Sequence, residues 1–246
     1  NLLDVQGAEK IAAIIPIRGF DADKCLFFAT ERGTVKKTAL AAYQNVRASG
    51  LIAINVDEGD RLIGVELTGG QDDLLLVTRK GMGIRFNEED ARPMGRATGG
   101  VRGIALDEGD AVEGVEVVHA DAMLLTVTEN GYGKRTPFGE YRVQRRGGKG
   151  LIANDLTPKT GDLVTALSVH DRDAIMIVTK QGTMIRMPVD GVRVTGRSAQ
   201  GVKLIDLDDG DVVMSATPVE PEDEAAPEPP AGDASPAADA SGKETP

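Results

Sequence analysis

Seven residues, Gln144-Arg145-Arg146-Gly147-Gly148-Lys149-Gly150, hold three cations and three glycines with no acid among them. Glycines let main-chain N–H groups approach an anion, and Arg145, Arg146 and Lys149 supply charge, so the chemistry on offer is phosphate binding. It is not that of a P-loop, because Val143 stands at the first glycine position and Gly150 where Ser or Thr should follow the lysine. Catalytic patterns are missing. His119 and His170 each lie twelve residues before a registered glycine, which marks them as repeat-equivalent structural positions. No metal-ligand spacing, nucleophile elbow or triad pattern is present. The single cysteine, Cys25, precedes Leu26-Phe27-Phe28 and reads as a buried structural thiol. The Asp-Glu-Gly-Asp turns lack the alternating oxygen ligands of a calcium loop and read as solvated turns.

The elements that must position these residues repeat. Four units follow one another at Ile11–Asp60, Arg61–Asp110, Ala111–Asp162 and Leu163–Asp211. Each opens with an apolar run: 11–17, 62–67, 112–118 and 164–169. A second run ends in Thr30, Thr78, Thr128 or Thr179, three residues before Gly33, Gly81, Gly131 or Gly182. A third short run follows that glycine. A polar loop then reaches Gly50, Gly100, Gly150 or Gly201 and a fourth run: 51–56, 101–106, 151–156 or 202–207. Short runs rich in Val, Ile, Leu and Thr between Gly and Asp predict strands, and Thr-x-x-Gly predicts a hairpin. Four strands per unit predict an all-β, propeller-like array of four-stranded blades. Helical periodicity is confined to a turn near Glu88–Ala91. The divisions expected are 1–10 (end of a preceding blade), 11–60, 61–110, 111–162 with the basic heptapeptide, 163–219 with a closing strand, and 220–246. Asn1–Val5 resembles the fourth strand of an earlier unit, and 212–216 the first strand of a later one or a closing strand. The start lacks an initiator Met, so the chain reads as a piece of a longer one, with blades expected before Asn1.

Composition narrows the partner. Aromatic residues are 3% with no Trp, which predicts an aliphatic core and disfavours base stacking on single strands. The net charge of −11 is uneven: Glu220–Pro246 carries −7 and the other 219 residues −4. That Pro- and Ala-rich end is expected to be a disordered acidic tail. No apolar run is long enough to cross a bilayer and no signal peptide is evident, so a reducing cytoplasm and no membrane partner are expected.

In the body, cations recur in register. Lys37, Arg85, Arg135 and Arg186 each stand four residues after the hairpin glycine, with Lys36 and Lys134 beside two of them. The loops before the fourth run carry Arg47, Arg92 with Arg96, the Arg142/Arg145/Arg146/Lys149 group, and Arg193 with Arg197. Equivalent positions of a radial array fall on one rim, so these charges are expected to form an exposed belt. A cation belt around a disc suits duplex DNA held by its phosphates in a salt-sensitive, largely sequence-independent way.

Gln144–Gly150 matches the Q-R-R-G-G-K-G box of the C-terminal domain of the bacterial DNA gyrase A subunit. Gly33–Thr38, Thr98–Ile104 and Asn130–Thr136 are also similar, and the resemblance covers residues 1 to 216. It implies a six-bladed β-pinwheel, of which about four blades are complete here, with blades exchanging a strand with their neighbours. It further implies positive wrapping of duplex DNA in support of ATP-driven negative supercoiling. The partners it implies are the gyrase B subunit, with a second gyrase A subunit in an A2B2 heterotetramer, contacted through regions absent here. ATP and Mg2+ are implied for the holoenzyme and no cofactor for this segment, the DNA-cleaving tyrosine lying in the subunit's N-terminal part. The family's principal box sits in the first blade; here it is in the third complete unit, blade five counted back from the end. The related subunit of topoisomerase IV and a protein-interaction propeller are the alternative readings.

Overall fold

A computed structural model describes residues 11–46 and 50–219. The Thr-x-x-Gly junctions fold as tight hairpins. The Gly33 amide donates to the Thr30 carbonyl at 2.9 Å, and Gly33 sits at φ +79°, where a Cβ would be strained. The Thr30, Thr78 and Thr179 hydroxyls each accept an amide across the turn at 3.1 Å. Each hairpin is the centre of a sheet: Cys25–Thr30 with Thr34–Ala39, Asp73–Thr78 with Met82–Asn87, Met123–Thr128 with Tyr132–Pro137, and Ala174–Thr179 with Met184–Pro188.

The rest of each sheet comes from further along the chain. Leu62–Thr68, Val112–Val117, Leu163–Val169 and Val213–Val219 pair antiparallel with the first strand of the preceding hairpin. The short strands Val101–Arg102, Leu151–Ile152 and Val202–Lys203 cross over to pair with the second strand of the preceding hairpin. Three sheets are therefore four-stranded and the last three-stranded, each holding strands from two sequence repeats. The sequence divisions at 60, 110 and 162 consequently cut through sheets. The repeat length was legible, but its phase was not, because periodicity records spacing and not hydrogen-bond partners. Val213–Val219 pairs with Ala174–Thr179 as the inner strand of the last sheet, the edge strand that in each sheet adjoins its counterpart in the neighbouring sheet. The segment thus closes that sheet and is at the same time equivalent to the first run of a unit.

Two expected strands are not formed. Residues 11–17 and 51–56 lie outside regular structure, and Ile11, Ile14 and Ile52 are exposed. Their counterparts pair with strands of the preceding unit, and among the described residues no such strand faces them. The later fourth runs are also shorter than expected, two residues each. The predicted turn at Glu88–Asp90 is a 3-10 helix, and equivalent turns follow the other hairpins. Residues 1–10 and 220–246, expected to be a blade remnant and an acidic tail, lie outside the described residues.

Cores lie between neighbouring sheets. Phe27, Ala29 and Val35 of the first pack against Leu74, Leu76, Ile84 and Phe86 of the second, with the Phe27 and Phe86 rings 6.0 Å apart. Leu75, Val77, Leu124 and Phe138 fill the next interface, and Leu125, Val127, Ile175 and Ile177 the last. Each buried aliphatic contributes about 1.5–3 kcal/mol, so interlocked sheets hold the array and present its loops at regular intervals. Cys25 is buried, and burial raises its thiol pKa.

Candidate nucleic-acid interface

The basic heptapeptide links the 3-10 turn Phe138–Glu140 to the crossing strand Leu151–Ile152 and lies over the preceding unit. The Gln144 amide donates to the Arg85 carbonyl at 2.8 Å and the Gly147 amide to that of Gly103 at 2.6 Å; Ala105 N donates to Gly148 O at 2.9 Å. The Gly147 amide is thus committed within the protein, contrary to a loop whose glycines all face an anion. Gly150 sits at φ +79°, and a Cβ there would meet the Gly83 carbonyl at 2.3 Å. Glycine is required at 150 for close packing.

The three cations differ. Arg146 is built into the scaffold, donating from Nε to the Asp90 carbonyl at 2.8 Å and from Nη1 to that of Arg102 at 3.0 Å. Lys149 pairs with Asp107 at 2.5 Å, with both side chains 68% exposed. Such a pair is worth about 0–1 kcal/mol, so phosphate can replace the carboxylate. Arg145 is exposed and, among the described residues, has no protein partner.

The neighbouring loops are built alike. Met94, Gln144 and Thr195 each donate their amide to the preceding unit's third strand, at Lys37, Arg85 and Arg135. One turn on, Arg96, Arg146 and Arg197 are equivalent, and Arg197 Nη1 reaches the Ile152 carbonyl at 3.1 Å as Arg146 reaches that of Arg102. Arg92, Arg142 and Arg193 are also equivalent and all exposed. These loops carry the outward charge of the described rim; Arg47 lies outside the described residues.

The strand cations are not on that rim. Lys36, Lys37, Lys134 and Arg135 are 0%, 4%, 0% and 5% exposed. Lys36 donates to the carbonyls of Ala53, at 2.7 Å, and Arg96. Lys134 donates to those of Gly196 and Arg197 at 3.0 and 2.5 Å. Lys37 pairs with Glu88. Arg135 binds the Val192 and Asp190 carbonyls and the Asp171 carboxylate. Arg85, partly exposed, pairs with Asp73 at 2.8 Å and reaches the Phe138 carbonyl at 3.1 Å. Arg186 is half-buried in the last hairpin, opposite Met176. The expected belt is therefore corrected at four positions: Lys36, Lys37, Lys134 and Arg135 lie between blades, because the crossing strand and the next unit's loop cover them, whereas Arg85 and Arg186 are only half-buried. Burial lowers the Lys36 pKa and brings that of Lys134 down to about 8.

Elsewhere the charged groups serve the scaffold. Arg61, Glu31, Arg79 and Glu113 form a chain of ion pairs at 2.9, 3.3 and 2.6 Å between the first two sheets. The closing Asp of each acidic turn caps a hairpin: Asp60 accepts the Arg32 and Arg61 amides at 3.0 and 2.8 Å, and Asp110 those of Lys80 and Ala111. His170 lies 3.4 Å from both Asp121 and Asp173 at the end of an inner strand, and His119 is exposed. Among the described residues no helix is long and apolar enough to cross a membrane.

The family model described as DNA gyrase C-terminal domain, beta-propeller, matches residues 26–68, 72–119, 122–170 and 173–220. These segments share the phase of the sheets, each beginning near a hairpin and ending at an inner strand. The chain is 48% identical to the DNA gyrase A subunit of Deinococcus deserti, over 91% of its own length and 28% of that protein. It is 51% identical to the Clostridium acetobutylicum counterpart, over 91% and 27%, and 42% identical to that of Escherichia coli, over 91% and 26%. It therefore spans little more than a quarter of these relatives. Among solved structures it resembles the C-terminal domain of DNA topoisomerase IV (TM-score 0.83, 28% identity, 90% of this chain and 70% of that one). It resembles a DNA gyrase A C-terminal domain similarly (TM-score 0.79, 28% identity, 88% and 73%).

Proposed function

Because the chain belongs to the DNA gyrase C-terminal domain family, we propose that it binds and wraps duplex DNA as part of a gyrase A subunit. The observation that carries this reading is the register of its loops. Interlocked sheets hold Arg92/Arg96, Arg142/Arg145/Arg146/Lys149 and Arg193/Arg197 at equivalent places, with Arg145 unpartnered among the described residues and Lys149 on an exchangeable carboxylate. A row of cations at fixed spacing neutralises successive phosphates, releases counterions and repays the bending of the duplex. The work is electrostatic and geometric, and the segment needs no cofactor of its own.

In the whole enzyme this segment serves ATP-dependent negative supercoiling by a type IIA topoisomerase. The gyrase B subunit, together with a second gyrase A subunit, completes an A2B2 assembly in the cytoplasm, and ATP and Mg2+ act at sites outside this chain. The topoisomerase IV reading is favoured by the fold likeness, but the intact heptapeptide and the 42–51% identity to gyrase subunits weigh for gyrase.

The test is duplex affinity as a function of salt, with the linking number of a nicked circle ligated in the presence of the chain. Affinity should fall steeply between roughly 50 and 200 mM salt, and ligation should trap a linking-number shift. Salt-insensitive binding, or no binding, would mean that the loops do not hold phosphate. Binding without a shift would leave attachment and remove wrapping.

A further inference from the structure

Two lysines in the blade seams are buried without an ion-pair partner. Lys36 and Lys134 are each 0% exposed, and among the described residues neither forms a salt bridge. Burying an ammonium is costly unless its protons are satisfied, and a well-packed apolar side chain usually serves stability as well or better. Their protons go to main-chain oxygens, and both lysines select the same place in the following unit. Lys36 reaches the carbonyl of Arg96, 60 residues on, and Lys134 those of Gly196 and Arg197, 62 and 63 residues on.

The second hairpin supplies the comparison. At the equivalent strand position it has Ile84, fully buried beneath the basic heptapeptide, where a Cβ on Gly148 or Gly150 would lie 3.7 or 3.2 Å from the isoleucine. Phe28↔Lys36, Leu76↔Ile84 and Thr126↔Lys134 are the same pairing in three sheets. The fold accepts an aliphatic residue at this position, so strand pairing does not require the lysine.

Resting on the DNA-binding reading above, we propose that Lys36 and Lys134 are positioning residues: each fixes the backbone at the loop arginine of the next unit, Arg96 or Arg197, and so sets its guanidinium toward phosphate. Neither lysine touches the nucleic acid. The heptapeptide has no such tether and relies instead on its glycines and its larger number of cations. The phosphate-binding rim is then of two kinds, with loops preset from below on either side of one held by its own packing.

The experiment compares the 246-residue chain with K134M, K134R, R197A and K134M/R197A, measuring duplex affinity across a salt series together with thermal melting. Removing one phosphate contact lowers the salt slope by about one, and R197A should do so. K134M should lower it by a similar amount although Lys134 is buried, the double variant should be no weaker than R197A alone, and K134R should restore the slope. A folded K134M with an unchanged slope, or losses that add in the double variant, would overturn the proposal. K36M with R96A puts the same question to the first seam. If neither lysine tolerates methionine and both variants unfold, the lysines are needed for the fold itself and the positioning role falls. A wild-type chain that shows no salt-dependent binding would instead remove the DNA-binding reading, before any variant is compared.

Discussion

The Lys37 ammonium lies 3.1 Å from the Glu88 carboxylate, with the two side chains 5% and 0% exposed. The pair ties the first hairpin to the turn after the second. Thr68 Oγ1 and the Asp72 amide donate to the same carboxylate at 2.7 and 2.8 Å, and Lys37 also reaches the Gly70 carbonyl at 2.9 Å. A cation expected on the rim is thus a bolt between blades. Removing one partner leaves the other charge buried and unpaired, which costs about 3–5 kcal/mol. Denaturant unfolding of K37M and E88L should show losses of that order, and the double variant should lose less than their sum. The salt slope of DNA binding by folded K37M should match wild type; a drop would put Lys37 on the nucleic acid.

Glu66 and Glu116 occupy matching positions on neighbouring inner strands. Burial, reinforced by repulsion from Glu66 and opposed by a hydrogen bond from the Ser168 amide at 2.9 Å, pushes Glu116 up to about 8. Burial alone pushes Glu66 up to about 7. A carboxyl whose folded pKa is raised binds its proton more tightly when folded. Stability therefore falls as pH rises from the unfolded carboxyl value near 4.5 to about 8, and no further loss follows from these groups above that. Lys134 acts in the next window: with its folded pKa lowered to about 8, stability recovers between there and its unfolded value near 10.5. Unfolding of E116Q across this range should show a flatter decline below pH 8 and a gain of several kcal/mol at pH 8, at roughly 1.4 kcal/mol per pH unit between 4.5 and about 8. An unchanged slope would show that the carboxyl is solvated.

Gly150 turns the heptapeptide into its crossing strand at a positive φ, against the Gly83 carbonyl. Gly150→Ala adds left-handed strain of about 1 kcal/mol and a backbone clash besides. We expect a lower melting temperature together with weaker DNA binding. Gly99→Ala, where a Cβ meets nothing within 4 Å, should change neither.

Within the heptapeptide, R145A should lower the salt slope by about one with no change in melting, because the side chain has no protein partner among the described residues. R146A should also lower melting, because it loses hydrogen bonds to the Asp90 and Arg102 carbonyls. Equal melting of the two variants would contradict the separate roles that the contacts give them.

The segment Glu220–Pro246 carries −7, and we expect it to compete with DNA for the loop cations. Truncation after Val219 should tighten duplex binding, most at low salt, where screening is weakest. Affinity unaffected by truncation would free the tail of that role.

Repeat length, hairpins, loop cations and the basic heptapeptide were all legible in the chain. Each is a local property: a glycine at a turn, an alternation of apolar residues, a density of charge. Their spacing of about 50 residues was enough to predict a radial array, and the heptapeptide was enough to suggest the family. Sequence alone did not determine which strands share a sheet. Pairing of Val101–Arg102 with Thr34 and Val35 closes over roughly 65 residues, and nothing local in either strand announces the partner. That crossing also decides the fate of the cations. It covers four strand positions, so Lys36, Lys37, Lys134 and Arg135 are buried as fasteners, while Arg92, Arg142, Arg145 and Arg193 on the loops stay exposed. A lysine reads the same in sequence whether it faces solvent or a carbonyl, and only the tertiary structure, by setting what lies over each strand, separates the cations that hold the blades from those left exposed on the loops.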